Sequence, residues 1–349
     1  MARRRGRAVV GVVMGGILLG GCTGSAGSDG QATGRAPTAA PLVEPPAASS
    51  VPSRAAPTGE AESARSAASS GTAGPAVASE FDARAALRDI VRLADGIGPR
   101  EATSKAFREA AGLVEQRFED LGFEVHTQRV EVPAGISWGT PVRSGTSRNV
   151  VAEPARFDPT DPHVVLVAHL DTIPVAPGAE DNASGVAVLM ELARLASAEP
   201  PSVPVRFIAF GAEEPRGSGD ARHHFGSRQH VAGLTDPQRA AIRGVIALDR
   251  VGVRSRSVPV CSARGTGNAL RAELRDAAQG IDVPTHDCSR NTTSDHWSYV
   301  KVGIPAVRLG SVPYAGYHSA LDTPDVIDRR QLDRVGRTVW AWLQGLDAA

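Results

Sequence analysis

The sequence predicts one α/β domain of three layers, helices packed on both faces of a mostly parallel central sheet. Three observations carry that prediction. Val164 to Leu195 (VVLVAHLDTIPVAPGAEDNASGVAVLMELARL) passes from an apolar, β-branched run ending at His169-Leu170-Asp171, through a Pro/Gly-rich loop, into an Asn/Ser-capped apolar helix. Val205 to Phe210 (VRFIAF) and Val245 to Leu248 (VIAL) are short continuous apolar runs, the pattern of parallel strands buried on both faces. Helical patterns separate these runs, so strand, helix and strand alternate as a parallel sheet requires.

The rest of the chain falls into place around that unit. Phe81 to Ala94 and Ser104 to Leu121 place apolar residues at helical spacing, each closing on a glycine-containing step. Phe123 to Val132 alternates as a half-buried strand does, and Ser147 to Ala152 is a second short strand. After the central unit, Ser227 to Leu234 has helical potential and Asp236 to Ile242 reads as a helix. Ser257 to Cys261 is a short strand, Asn268 to Ala278 a helix, and Ile304 to Leu309 another apolar strand. Leu332 to Leu346 closes the domain as a helix whose Val335, Val339, Trp340 and Leu343 form a core-facing stripe.

The 349 residues are not all domain. A basic start (MARRR) and an apolar stretch (AVVGVVMGGILLGG) predict a secretory leader over 1–21, too short and Gly-rich for a comfortable membrane span. Leu19-Gly20-Gly21-Cys22 resembles the bacterial lipobox, which implies cleavage before Cys22, a lipid on that cysteine and anchorage at the outer face of the cell membrane; simple secretion is the alternative. Residues 22–80 are Ala, Gly, Ser, Pro and Thr with few large apolar side chains, a tether that cannot bury enough surface to order itself. The folded domain is 81–349. Lys+Arg and Asp+Glu both number 38, and no basic stripe with interleaved aromatics occurs, which argues against a nucleic-acid partner. Cys261 and Cys288 remain after Cys22; in an exported domain the pair reads as a disulfide, with two buried free thiols as the alternative.

The chemistry collects at strand ends. His169 and Asp171 follow one strand, Glu213 and Glu214 the next, Asp249 a third, and His318 lies in the loop after a later one. Parallel strands put all their carboxyl ends on one edge, so these side chains can converge. Asp181 joins them from the start of a helix, where peptide dipoles favour a carboxylate. Two imidazoles and three carboxylates without cysteine suit zinc, or a pair of zinc ions sharing one carboxylate, and leave about one positive charge to hold a hydroxide. Glu213 or Glu214 is left over to take a proton from water. Both can reach the site only if the chain turns there, because adjacent strand residues face opposite ways.

On AHLDT, EDNASG, FGAEE, ALD, SDHWSY and YHSALDTPD, spread from about Ala86 to Leu346, the chain resembles peptidase family M28, the co-catalytic di-zinc aminopeptidases. That resemblance implies a zinc-exopeptidase fold and removal of the N-terminal residue of peptides. It implies His169 and Asp249 on one zinc, Glu214 and His318 on the other, and Asp181 bridging them. Glu213 becomes the general base and acid, Asp171 the partner that fixes the His169 tautomer, and Tyr317 a donor to the oxyanion. A cis peptide at Asp181-Asn182 is also implied. Two departures bear on specificity: Arg250 stands where an apolar residue is usual, and Glu180 where Asp is common.

The remaining histidines are assigned no role in catalysis. His126 and His163 read as surface residues, His223, His224 and His230 as solvated, and Asp295-His296 as scaffold beside the site. Glutaminyl-peptide cyclisation on a single zinc is the alternative reaction, and a non-catalytic binding ectodomain of the same fold the alternative class. A monomer acting on peptides with a free N-terminus is expected.

Overall fold

The computed structural model describes residues 80–263 and 267–347. The expected leader, the lipid on Cys22 and the tether fall outside the described residues. Helix α1 (Ala83–Val91) starts under an Asp82 cap and runs on through a wider turn, Arg92–Ile97. Helix α2 (Lys105–Asp120) is capped by Ser104 and leads into β1 (Glu124–Val132). A small hairpin follows, β2 (Gly135–Ser137) and β3 (Thr140–Val142), then β4 (Gly145–Glu153) and β5 (His163–His169). Next come α3 (Ser184–Ala198), β6 (Val205–Phe210), α4 (Phe225–Gly233), α5 (Asp236–Ala241) and β7 (Ile242–Leu248). The chain closes with β8 (Val258–Ser262), α6 (Asn268–Gly280), β9 (Thr285–Ser289), α7 (His296–Val300), β10 (Ala306–Leu309) and α8 (Arg329–Gln344).

Eight strands form one sheet in the order β1-β4-β6-β5-β7-β10-β8-β9. Its centre, β6-β5-β7-β10, is parallel, as the apolar runs predict. The flanks are not: β4 runs antiparallel to β1 and β6, and β8 antiparallel to β10. The sheet is therefore mixed, with the parallel strands gathered where the site lies.

Alternate residues of the central strands enter two different cores, which is why their hydrophobicity is continuous. Val164, Leu166 and Ala168 of β5 face the layer of α1, α2, α3, α6 and α8, while Val165 and Val167 face the other layer. Phe207 and Ala209 against Ile208 and Phe210 divide β6 the same way. At roughly 1.5–3 kcal/mol for each large aliphatic or aromatic side chain removed from water, these strands supply much of what holds the strand ends in place.

Several expectations need correction. His163 is not a surface residue: it is fully buried, its Nδ1 2.8 Å from the Asp161 carbonyl oxygen and its ring edge-on to Phe157. Starting a strand covered on both faces, it has no route to water. In α8 the stripe of Val335, Val339 and Leu343 is buried as expected and Trp340 packs, partly buried, against the same core; Trp342, which the stripe did not include, is buried there as well. Cys261 and Cys288, paired across β8 and β9, form the expected disulfide.

Candidate active site

The carboxyl ends of β5, β6 and β7 open into a cleft of about 600 Å³ whose walls include His169, Glu213, Asp249, Arg250, Tyr317 and His318. His169 is the last residue of β5. Its Nε2 lies 3.1 Å from Asp181 Oδ1 and 3.7 Å from Asp249 Oδ1. The other nitrogen, Nδ1, sits 3.2 Å from the Asp171 carbonyl oxygen and 3.8 Å from its carboxylate.

Asp171 is thus the neighbour of His169 Nδ1, as expected, with its carbonyl nearer than its carboxylate, and its side chain has a second engagement. Asp171 Oδ1 accepts from Glu213 N at 3.0 Å and Oδ2 from Glu214 N at 3.2 Å. These bonds hold a turn at Ala212, whose φ of 61° breaks the strand direction after β6. The turn is the reversal that lets neighbouring glutamates share one site. It falls on Ala212 itself, a conformation uncommon outside glycine. The preceding Gly211 allows close packing, since a Cβ there would collide with Ser147, Phe107 and the Arg148 carbonyl.

Asp181 and His318 come from loops. The segment Ala179–Ala183 enters through left-handed Gly178 and contains the expected cis Asp181-Asn182 peptide. Asp322 clamps it, Oδ1 accepting from Glu180 N at 2.8 Å and Oδ2 from Asp181 N at 3.0 Å. Fully buried Arg100 braces the loop before it, donating to the carbonyls of Leu170, Pro177 and Gly178. Glu180, buried and accepting from Gly252 N and Val253 N, ties the same segment to the chain beyond β7. His318 Nε2 approaches Asp181 Oδ2 at 3.0 Å and Glu214 Oε2 at 3.5 Å.

Two sets of donors result, with ligand atoms of each set within 4.8 Å of one another: His169, Glu213 and Asp249, and Asp181, Glu214 and His318. Asp181 turns one oxygen to each imidazole, so it stands between the sets. Glu214 Oε1 is buried with no hydrogen-bond partner among the described residues, and the Nε2 atoms of both histidines face carboxylate oxygens. Imidazole and carboxylate converging in a buried cluster fit divalent ions of borderline hardness.

The electrostatics agree. Burial pushes Glu213 and Glu214 up to about 8, with neighbouring carboxylates adding to the effect. Burial also opposes the charged forms of His318 and Asp181, but their contacts prevail: Asp181 and Glu214 raise His318 to about 10, and His169 and His318 hold Asp181 well below the usual carboxylate range. Asp249 is lowered because the Arg308 guanidinium, 3.1 Å away, and His169 outweigh its burial. Without a cation the cluster retains protons; binding one would release them.

Two residues the sequence assigns no role, His224 and Trp138, also line the cleft. His224 is 4% exposed, not solvated, and its Nε2 lies 3.1 Å from Glu213 Oε1. His230 is also buried, its Nδ1 2.9 Å from Gln128 Oε1. Trp138, at the tip of the β2-β3 hairpin, packs edge-on to His318 with centroids 4.3 Å apart. Tyr317 stacks on His318 at 3.7 Å and carries the Arg250 guanidinium 4.2 Å from its ring centre. Arg250 also donates to Ser311 Oγ. His296 is buried and turns Nε2 to the Asn291 carbonyl, outside both donor sets, as a scaffold residue would.

This combination of an α/β sheet with a buried His/Asp/Glu cluster at its parallel strand ends defines a metallohydrolase-like class. Residues 149–343 match the model of peptidase family M28, and the chain belongs to that family. It is 29% identical over 206 residues to Aminopeptidase YwaD of Bacillus subtilis (strain 168), a match covering 56% of this chain and 44% of that protein. The chain therefore spans less than half the length of that relative. Among solved structures it is similar to BSAP, a zinc aminopeptidase from Bacillus subtilis (TM-score 0.67, 20% identity, 75% of this chain and 94% of that one). It is equally similar to the Bacteroides thetaiotaomicron glutaminyl cyclase (TM-score 0.67, 22% identity, 78% and 100%). At such identities these two likenesses establish the fold.

Proposed function

We propose that the chain is an exported zinc aminopeptidase that removes the N-terminal residue of peptides. The supporting observation is the placement of Asp181, whose two oxygens address His169 and His318 separately, at 3.1 and 3.0 Å. On this reading His169 and Asp249 hold one zinc, Glu214 and His318 the second, and Asp181 both. Zinc bound there supplies a Lewis acid for the scissile carbonyl and makes water a nucleophile near neutral pH.

Glu213 takes the proton from the attacking water and later gives it to the leaving amine. Tyr317, beside His318, donates to the carbonyl oxygen as charge develops there. Asp171 keeps the two glutamates on one side of their turn. Arg250 lines the same cleft and sets charge near the substrate.

Aminoacyl arylamides assayed with and without chelator, alongside zinc counted per chain, test the reading. Chelator-sensitive release with two zinc ions is expected; chelator-insensitive release, or none from the fully metallated protein, would sink it. A second reading, glutaminyl cyclisation on one zinc, is favoured by the likeness to the Bacteroides cyclase. Cyclisation of an N-terminal glutamine peptide with one zinc per chain would select it.

Export is part of the same proposal, with Cys22 as the lipid-bearing residue. The Cys261–Cys288 disulfide supports it, because such bonds persist in oxidising compartments. Labelling with a fatty-acid analogue that is lost in Cys22→Ser is the expected result; equal labelling of both would refute the anchor.

A further inference from the structure

Glu213 is held at one oxygen by a residue with no assigned role. His224 lies after the loop that follows β6, and its backbone returns to the same turn: His224 N donates to the Glu213 carbonyl at 2.9 Å, and Phe225 N to the Ala212 carbonyl at 2.8 Å. The residue itself is left-handed, φ 56°, a conformation that costs energy in a non-glycine residue and is kept only where its surroundings enforce it. That conformation carries the imidazole inward, where Nε2 meets Glu213 Oε1 at 3.1 Å. Both side chains are almost wholly buried.

We propose that His224 is a positioning residue for the proton-transferring carboxylate, donating from Nε2–H to Glu213 Oε1 so that Oε2 is the oxygen that exchanges protons with water and the leaving amine. The inference rests on the aminopeptidase reading of Glu213. Several observations make the arrangement a built one. Nε2 faces a carboxylate oxygen, so it is the ring nitrogen that carries a hydrogen here; Nδ1 is buried and has no hydrogen-bond partner among the described residues. The helix that begins beside it is fixed to α7 by the Ser227–Ser298 hydroxyl pair, 2.9 Å apart.

With one oxygen occupied, the carboxylate loses a rotational degree of freedom and presents its other oxygen in one orientation. A misdirected general base costs turnover more than substrate binding, on the order of 10²-fold for small displacements. The two amides, glutamine and asparagine, separate this role from mere packing. Glutamine can bring an N–H to the place of Nε2, whereas asparagine stops one methylene short.

The experiment compares His224→Gln and His224→Asn in the full chain, each also combined with Glu213→Gln, measuring kcat and KM on an aminoacyl arylamide, bound zinc and Tm. Expected are kcat within about fivefold of wild type for H224Q and about 10²-fold lower for H224N, with KM and zinc content unchanged in both. In the Glu213→Gln background neither change should lower kcat further, because both act through one carboxylate. Equal kcat in H224Q and H224N, a fall tracking lost zinc or lost Tm, or additive losses with Glu213→Gln would overturn the proposal. A wild-type protein without chelator-sensitive hydrolysis would instead overturn the functional reading beneath it.

Discussion

The two halves of the cleft are built differently. His169, Glu213, Glu214 and Asp249 stand at or just beyond the ends of β5, β6 and β7, strands whose every second side chain is locked into one of two cores. Asp181, Tyr317 and His318 ride on loops rather than on a strand ladder: Asp322, Arg100 and Glu180 hold the segment that carries Asp181, while Tyr317 and His318 pack on each other, on Trp138 and under Arg250. The first half rests on strands fixed by apolar burial, with Asp171 clamping the Glu213 and Glu214 amides beyond β6; the Asp181 segment of the second has charged groups satisfied on backbone atoms and no strand beneath it. The strand half should therefore keep its shape when metal is removed, and the loop half should not.

The largest effect expected from breaking the contrast is catalytic. Glu213→Gln in the strand half should lower kcat on the order of 10³-fold while bound zinc is unchanged, read by steady-state kinetics beside elemental analysis. In the loop half, Asp322→Ala removes the clamp on the Glu180 and Asp181 amides. Zinc affinity should weaken by about 10- to 100-fold in a chelator competition, the range usual for groups that orient ligands. Equal zinc affinity in D322A and wild type would show that the loop is held without it.

Metal removal sharpens the same comparison. With chelator, amide exchange should quicken across Gly178–Ala183 and around His318 more than along β5 and β7, since ladder bonds and two cores hold the strands and neither holds the loops. Uniform protection would erase the distinction between the halves.

The smallest effect concerns pH. Burial holds His230 down to about 3 and His296 to about 4, against an ordinary 6.5. At these two positions the unfolded chain binds more protons than the folded one below 6.5, while Glu213 and Glu214, pushed up to about 8, act in the opposite sense. The histidines' own contribution to stability should fall as pH drops from about 6.5 toward 4, by about 1.4 kcal/mol per pH unit for each group. The stability of metal-free wild type relative to His230→Gln, read from urea midpoints, should fall over that range; a difference that does not change with pH would mean the ring already titrates in the folded state.

Much of the strand half could be read without coordinates. VVLVAH, VRFIAF and VIAL are continuous apolar runs, and their ends named His169, the glutamate pair and Asp249 directly. The loop half was legible only as residue types. Nothing local marks Asp322 as the acceptor for amides far back in the chain, or Arg308 as the counter-charge for Asp249. The β2-β3 hairpin was missed because its turn is Trp138-Gly139, both at positive φ, and tryptophan is not a residue that announces such a turn. His224 looked solvated because its neighbours in sequence are polar, while its burial comes from elements packed on it from elsewhere.

By itself the sequence determined which strands are buried on both faces, the edge at which they end, and the donor atoms that stand there, because strand periodicity and burial leave their mark on consecutive residues. Only the tertiary structure decided which oxygen of Asp181 meets which imidazole, that the Asp171 side chain clamps two amides, and that a histidine grips Glu213. Those facts depend on contacts between residues distant along the chain, and no local pattern encodes them.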